Sequence, residues 1–267
     1  MPDNFNPANK LPKLSRYIGG SLAWLIDRNT WLAIYEEITK ALPILKFYKD
    51  QEATDVLSGI IVRSGRGITA EQLFEIISGR EIAVVVGCSS GVYSEVDYLK
   101  EHFNRRELLM AAADGATEVL LRKGLVPDVV FTDLDGDFRA IMDVSKRGLP
   151  VVVHAHGDNV DKLANVELLR GPLVGSTQVE PRPLVYNFGG FTDGDRALFV
   201  LYHAGYREAV LVGFDFNNPC KCPGSAKLLD VGVKAVKLAI ARRLVSLLEG
   251  MGMKVRYLRE LYGRPGS

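Results

Sequence analysis

The feature that most constrains this fold is a series of short apolar runs, each followed by a loop rich in glycine and aspartate. The runs occupy residues 82–86, 108–112, 129–131, 151–153, 184–186, 209–212 and 254–257. Segments with helical spacing separate them, at 116–123, 138–146, 160–169, a stretch ending at 204, and 227–248. Wholly apolar strands are typical of parallel sheets that helices cover on both faces. The sequence therefore predicts an α/β fold: a Rossmann-like, doubly wound, mostly parallel sheet.

The first 80 residues follow a different pattern. Apolar residues recur at helical spacing around residues 28–41 and 50–61. Thr69 and Gln72 then have the spacing of a capping box, which predicts the start of a third helix. We expect two units: a small helical N-terminal unit over residues 1–80 and an α/β domain over residues 81–267.

Charge and hydropathy exclude several classes of protein. The chain has 33 lysine and arginine residues and 32 aspartate and glutamate residues, a net charge of +1. This balance argues against a broad nucleic-acid or membrane surface. No apolar run approaches the roughly 18 residues of a membrane helix, and the first residues do not resemble a signal peptide. We expect a cytoplasmic enzyme that acts on small molecules and forms a homodimer.

The three cysteines are Cys88, Cys220 and Cys222. They are too few for the disulfide framework of a small secreted protein. Cys220 and Cys222 offer half of a zinc site, but the sequence has no second cysteine pair to complete it. A disulfide from Cys220 or Cys222 to another position is the alternative if the source is thermophilic.

Acidic residues follow nearly every predicted strand. In an open parallel sheet the carboxyl ends of the strands share one edge, where ligands bind. Carboxylates gathered there would repel one another, and a hard cation such as Mg²⁺ would relieve that repulsion. The residues are Asp114, Asp133, Asp135, Asp158, Asp193, Asp195 and Asp215.

Asp133 and Asp135 are the first candidates for such a cation site. Their spacing places both carboxylates on one side if the chain is extended. The alternative is a turn in which an aspartate caps the following helix, and Asp137 is the better candidate for that cap.

Two histidines form the next candidate group. His154 and His156 precede Asp158 and Asn159 at the end of a predicted strand. The histidines are candidates to bind a transition metal, to act as acid or base, or to donate hydrogen bonds to phosphate.

Two further loops have features of anion sites. The segment 192–196 opens a helix, and its N-terminus with Arg196 suits a phosphate; simple capping by Thr192 or Asp193 is the alternative. The loop 87–91 is rich in small residues that would let phosphates approach the backbone, although it matches neither a Walker A loop nor a dinucleotide fingerprint.

Four ordered motifs together resemble the archaeal 6-hydroxymethyl-7,8-dihydropterin pyrophosphokinase family and, more distantly, the catalytic domain of thiamine pyrophosphokinase. The likeness runs from about residue 81 to the C-terminus. The motifs are Ala113-Asp114-Gly115-Ala116, Pro127-Asp128 with Thr132-Asp133-Leu134-Asp135-Gly136, His154-Ala155-His156-Gly157-Asp158-Asn159, and Gly190-Phe191-Thr192-Asp193-Gly194-Asp195-Arg196-Ala197.

The resemblance implies that diphosphate passes from ATP to the hydroxymethyl group of the pterin, that AMP leaves and that Mg²⁺ is required. It implies a magnesium site at Asp133, Asp135 and Asp158, with Asp133, Asp135, His154, His156 and Arg196 as catalytic residues. Nucleotide binding is expected at Gly87, Ser89, Ser90, Gly91, Asp114, Gly115, Asn159, Thr192, Asp193 and Asp195. Phe188 and Phe191 are candidates to pack against the pterin ring, and Asn187 is a candidate to form hydrogen bonds with the edge of the ring.

Two departures and several rival functions accompany this resemblance. The loop 87–91 reads Gly-Cys-Ser-Ser-Gly where the family usually has a Gly-Pro-Ser type of loop, and the Cys220–Cys222 segment looks peculiar to this chain. The alternatives are a thiamine-type pyrophosphokinase, a metal-dependent nucleotide phosphohydrolase and a non-catalytic nucleotide-binding protein.

Overall fold

A computed structural model describes residues 24–222 and 228–262 of the 267-residue chain. Eight strands form one sheet in the order β6-β5-β4-β3-β2-β1-β7-β8. Every neighbouring pair is parallel. The strands are β1 (Ile82–Val86), β2 (Leu108–Ala113), β3 (Val129–Thr132), β4 (Val151–His154), β5 (Leu173–Ser176), β6 (Val185–Tyr186), β7 (Glu208–Val212) and β8 (Lys254–Tyr257).

Helices cover both faces of the sheet, and a hydrophobic cluster lies on each face. From residue 24 onward, three helices precede β1: α1 (Arg28–Ala41), α2 (Phe47–Ser64) and α3 (Ala70–Ile77). The others are α4 (Val92–His102), α5 (Ala116–Arg122), α6 (Phe138–Lys146), a 3₁₀ helix (Val160–Leu168), α7 (Asp193–His203), α8 (Val231–Gly250) and α9 (Leu258–Tyr262). The α/β class and the parallel sheet predicted from the sequence are confirmed.

β5 is the strand that the sequence did not reveal. It has four residues, and Gly175 interrupts its apolar run. A Cβ atom at Gly175 would lie 2.5 Å from Cγ2 of Val185, so glycine lets β6 approach closely. Gly175 therefore weakens the apolar pattern of the strand in the sequence, although the packing of β5 against β6 requires a glycine at this position.

Two helical predictions need correction, and α4 was missed. The segment expected to be a helix at 160–169 is a 3₁₀ helix. The helix expected at 227–248 begins at Val231, because the side chain of Asp230 accepts the N–H of Val233 and caps it there. Lys227 itself lies outside the described residues. α9 was not predicted.

The N-terminal helices pack against the sheet. Nε1 of Trp31 donates to the carbonyl oxygen of Gln178, 2.9 Å away, and Trp31 belongs to the same hydrophobic cluster as Val85 and Phe131. The capping box predicted at Thr69 and Gln72 is confirmed. The division of the chain near residue 80 stays a prediction. No helix within the described ranges has both the length and the apolar character needed to cross a membrane.

Candidate active site

The carboxyl ends of seven neighbouring strands open into a cavity of about 690 Å³. The loops after β6, β5, β4, β3, β2, β1 and β7 contribute to its wall, as does the turn between α1 and α2. The strand order reverses between β1 and β7, and ligands of open α/β sheets bind at such a point. The cavity thus lies where the sequence predicted a ligand site.

Three carboxylates meet at the centre of this edge. Asp114 follows β2, Asp133 follows β3, and Asp193 begins α7. One oxygen from each lies within 4.8 Å of the others. The hydroxyl of Thr132 donates to Oδ1 of Asp114 over 2.6 Å and so joins the ends of β2 and β3. We call Asp114, Asp133 and Asp193 the acidic trio.

The backbone turns sharply at two points beside the trio. Asp114 has a φ of 44° and Leu134 a φ of 65°, a region that residues other than glycine seldom adopt. The extended chain expected between Asp133 and Asp135 is therefore wrong. The amide of Asp135 donates to Oδ1 of Asp133 over 3.0 Å, and the carboxylate of Asp135 pairs with Lys162. Asp135 lines the cavity but is not part of the trio.

The electrostatics of the trio suit a cation. Burial raises the pKa of Asp193 well above its ordinary value, and the nearby charges of Asp133 and Asp114 raise it further. A positive ion among the three groups would remove this repulsion. The donors are all carboxylate oxygens, which Mg²⁺ prefers over softer ligands. The residues present therefore fit a hard divalent cation.

His154 and His156 lie side by side, with ring centroids 5.7 Å apart. Nδ1 of His154 lies 3.1 Å from the carbonyl oxygen of Ser176, and burial lowers the pKa of His154 well below its ordinary value. Nδ1 of His156 accepts the amide of Asp158 over 3.3 Å, which leaves the Nε2 proton directed to Oδ2 of Asp133, 3.6 Å away. His154 is thus a neutral ring and His156 a donor beside the trio.

Asn159 connects the loops after β3 and β4. Its Nδ2 donates to the carbonyl oxygens of Asp133 and His154, over 2.9 and 2.7 Å. Its Oδ1 accepts the amide of His156 over 3.1 Å. Asn159 is completely buried and does not line the cavity, so it positions the loops rather than facing a ligand.

The start of α7 combines capping with burial. The carboxylate of Asp195 accepts the amides of Phe191 and Thr192, over 2.6 and 2.9 Å, so Asp195 serves the cap. Arg196 is 1% exposed, and its Nη2 donates to the carbonyl oxygen of Phe191 over 3.0 Å. Arg196 does not line the cavity, so it is not placed to form the phosphate contact predicted from the sequence.

The loop 87–91 contributes two of its expected residues to the cavity. Gly87 and Ser89 line it, whereas Ser90 and Gly91 are exposed at the start of α4. Cys88 forms a disulfide with Cys222, which confirms that Cys222 pairs with a distant position. Cys220 is free. The half zinc site at Cys220 and Cys222 is therefore not formed.

Most of the predicted site residues come together. Those that line the cavity are Gly87, Ser89, Asp114, Gly115, Asp133, Asp135, His154, His156, Asp158, Thr192 and Asp193. Among the candidate pterin residues, Phe191 lines it. Phe188 and Asn187 are completely buried, and Asn187 uses its amide on the backbone of Val179 and Gly189, so the roles expected of Phe188 and Asn187 do not fit.

Several lining residues were missed because no local motif marks them. Gln178 lies two residues after β5, which was itself missed. Phe214 and Phe216 follow β7, whose end was visible in the sequence. Leu42, Ile44 and Leu45 come from the turn between α1 and α2, and Lys234, Lys237 and Leu238 come from α8. The sequence gave no indication that these apolar and cationic side chains would face the cavity.

Comparisons with known proteins agree with this geometry. The family model described as 6-hydroxymethylpterin diphosphokinase MptE-like matches residues 63–220. A protein of Pyrococcus furiosus named 6-hydroxymethyl-7,8-dihydropterin pyrophosphokinase is 43% identical over 227 residues, covering 83% of this chain and 94% of its own. A protein of Methanocaldococcus jannaschii with the same name is 32% identical over 236 residues, covering 84% of this chain and 96% of its own.

Another protein with that name, from Methanothermobacter thermautotrophicus, is 38% identical over 164 residues, 58% of this chain and 71% of its own. Among solved structures, a MAf glycosyltransferase from Magnetospirillum magneticum AMB-1 is similar with a TM-score of 0.45 and 14% identity, over 79% of this chain and 39% of that one. The family match and the curated relatives show that the chain belongs to the MptE-like 6-hydroxymethylpterin diphosphokinase family.

Proposed function

We propose that this chain transfers diphosphate from ATP to the hydroxymethyl group of 6-hydroxymethyl-7,8-dihydropterin and releases AMP. The acidic trio is the observation that carries the proposal, because it brings three carboxylate oxygens within 4.8 Å of one another in a cleft at the ends of parallel strands. Polyphosphate transfer depends mainly on alignment and on neutralising charge. The product would serve folate or methanopterin-type cofactor synthesis, as the family resemblance implies.

Asp114, Asp133 and Asp193 are the residues that would hold Mg²⁺. When bound, Mg²⁺ would neutralise charge on the polyphosphate oxygens. This assignment keeps Asp133 from the set predicted by sequence and replaces Asp135 and Asp158. Asp135 is paired with Lys162, and Asp158 is exposed.

The two ends of the cavity differ in charge. Among the described residues, the lysines on its wall are Lys221, Lys234 and Lys237, and all three follow β7 in the chain. Gly87 and Gly213 line the cavity at the same end of the sheet order. We therefore assign ATP to the β1–β7 end and the uncharged pterin to the β4–β5 end, with the trio between them.

The proposed reaction is one displacement. The pterin hydroxymethyl oxygen attacks the β-phosphorus of ATP, and the bond from that phosphorus to the α–β bridging oxygen breaks. AMP leaves with the bridging oxygen, and the hydroxyl proton is released. In this scheme the Nε2–H group of His156, 3.6 Å from Oδ2 of Asp133, donates a hydrogen bond to an oxygen of the transferred group.

The rival functions are not favoured, since the curated relatives all have the pterin pyrophosphokinase name. A homodimer and a cytoplasmic location stay predictions from the sequence. Sedimentation velocity of the purified chain would measure the first of these.

The test is AMP release from ATP and Mg²⁺ with and without 6-hydroxymethyl-7,8-dihydropterin. We expect AMP only with the pterin, and its loss in Asp133→Asn. Asp143→Asn is the matched control, because Asp143 pairs with Arg147 on α6, away from the cavity. Phosphate release without an acceptor would favour a hydrolase, and ATP binding without turnover would favour a nucleotide-binding protein; either outcome contradicts the proposal.

A further inference from the structure

One face of α8 forms part of the cavity wall. The residues of this helix that line the cavity are Lys234, Lys237, Leu238 and Ala241. They follow Lys234 at intervals of three, four and seven residues, which places all four on one side of a helix. α8 follows β7 and packs against α7, whose first turn carries Asp193. Both helices begin at the carboxyl edge of the sheet, so the first two turns of α8 lie at the β1–β7 end of the cavity.

The two lysines of this face have no ion-pair or hydrogen-bond partner among the described residues. Both side chains are half-buried. On the same helix, Arg243 is exposed and pairs with Glu37. Charged groups that are withdrawn from water are usually paired, and like charges this close on a helix repel each other. Two unpaired ammonium groups on one wall of a cavity therefore favour an anionic ligand.

The carboxylate of Asp215, which follows β7 and lines the same end of the cavity, is already occupied. Nδ2 of Asn218 donates to its Oδ2 over 2.6 Å, and Nη1 of Arg259 lies 3.4 Å from the same oxygen. The backbone amide of Asn217 donates to its Oδ1 over 3.0 Å. Asp215 therefore does not neutralise the lysines, and the positive charge of α8 is available to a ligand.

The direction of the proposed reaction determines which part of ATP would meet these lysines. In phosphoryl transfer the attacking and leaving oxygens lie roughly in line, on opposite sides of the reacting phosphorus. With the pterin at the β4–β5 end and the acidic trio at the centre, the bond from the β-phosphorus to AMP points toward the β1–β7 end. As that bond breaks, its electron pair passes to the α–β bridging oxygen, and cations already in position stabilise the developing charge.

We propose that Lys234 and Lys237 bind the α-phosphate of ATP and stabilise its negative charge as AMP leaves. The inference rests on the proposed function, since it assigns two catalytic residues to the leaving group of that reaction. A lysine ammonium is a compact charge on a flexible stem with three donors, so it can follow an oxygen whose charge and position change during the reaction.

The test compares Lys234→Met and Lys237→Met with Arg243→Met. Methionine keeps most of the length of a lysine side chain and removes its charge. Arg243→Met removes one positive charge from the same helix outside the cavity, so it controls for net charge and for the stability of α8. At saturating ATP we expect each lysine variant to lower kcat about 10- to 100-fold, and Arg243→Met to change kcat by less than about twofold.

Titration with AMP, measured by calorimetry, tests the same contact without turnover. We expect the Kd for AMP to rise about tenfold or more in each lysine variant. The Kd for the pterin, followed by its fluorescence, should stay within about twofold, because the lysines lie at the other end of the cavity. Lys234→Arg and Lys237→Arg keep the charge and should lose less AMP affinity than the methionine variants; they also serve if a methionine variant does not fold.

An unchanged AMP affinity in folded lysine variants, or an equal loss of AMP and pterin affinity, would overturn the inference. A higher KM for ATP with an unchanged kcat would also overturn it, because the lysines would then not act on the departing group. An unmodified chain that binds AMP through these lysines but forms no AMP from ATP and the pterin would instead overturn the proposed function.

Discussion

The carboxylate of Asp50 accepts the backbone N–H of Gly157 at 2.7 Å, although 107 residues separate the two. The same carboxylate also accepts the hydroxyl of Tyr35 and the amide of Gln178. One buried group on α2 therefore holds both the loop that follows β4 and the loop that follows β5. The N-terminal helices thus help to build the site, although every motif that marks the site lies after residue 80.

Replacing Asp50 should therefore damage stability more than replacing another acidic residue of the same helix. Asp50→Ala leaves three donors unpaired in the interior, and we expect a loss of about 3–5 kcal/mol in the free energy of unfolding. Asp55→Ala is the control, because Asp55 forms an exposed pair with Arg182 and should cost under about 1 kcal/mol. Urea unfolding measures both, and equal losses would contradict this account of Asp50.

The acidic trio predicts which carboxylates determine the dependence of activity on Mg²⁺. Asp193→Asn should raise the Mg²⁺ concentration for half-maximal AMP release about tenfold or more, because it removes a proposed ligand. Asp158→Asn should change that concentration by less than about threefold, since Asp158 is exposed and outside the trio. The reverse order would favour the ligand set predicted from the sequence.

His203 should make stability depend on pH. Burial lowers the pKa of His203 to about 4, while its Nε2 donates to the carbonyl oxygen of Phe188 over 2.9 Å. The unfolded chain takes up a proton near pH 6.5 and the folded chain does not. The stabilisation is therefore complete above pH 6.5 and falls as the pH drops toward 4, by at most about 3 kcal/mol.

The measurement is the free energy of unfolding at pH 7.5 and at pH 5, for the natural chain and for His203→Gln. The variant is expected to be less stable at pH 7.5 but to lose less on acidification. The same dependence on pH in both proteins would show that His203 is not the group responsible.

The disulfide should add stability because it joins positions 134 residues apart. Cys88→Ser removes a link that restricts the unfolded chain, and we expect a loss of about 2–5 kcal/mol under oxidising conditions. Cys220→Ser, which affects a free thiol in the same region, should cost far less. A calorimetric scan with and without dithiothreitol measures the unfolding temperature of both variants. A Cys88→Ser protein with the same unfolding temperature as the oxidised natural chain would contradict the pairing.

The sequence alone was sufficient for the class of fold and for most strand ends. A wholly apolar run such as that of β1 predicts a buried strand in an α/β chain. Loops that follow parallel strands must meet at one edge of the sheet. This is why Asp114, Asp133 and Asp193 were expected at one edge of the sheet, together with four other aspartates, although they come from separate loops. The alternation of strand and helix fixes their position regardless of the distance between them in the chain.

Other features depend on packing that the sequence does not display. Leu134 adopts a left-handed conformation, and that turn separates Asp135 from Asp133. Arg196 was expected to contact phosphate but is buried in the first turn of α7. Gln178 gave no signal because it follows β5, a strand that the sequence did not reveal.

The order of the strands also has a consequence for how activity appears during folding. Asp114, Asp133 and Asp193 come from three different crossovers, and the last of them is fixed only once α7 has docked across β1, β2 and β3. A nascent or truncated chain that ends before α7 would carry two of the three acids and no catalytic centre. Recovery of activity after dilution from denaturant therefore measures formation of the completed fold. Folding intermediates that precede the docking of α7 should have no activity.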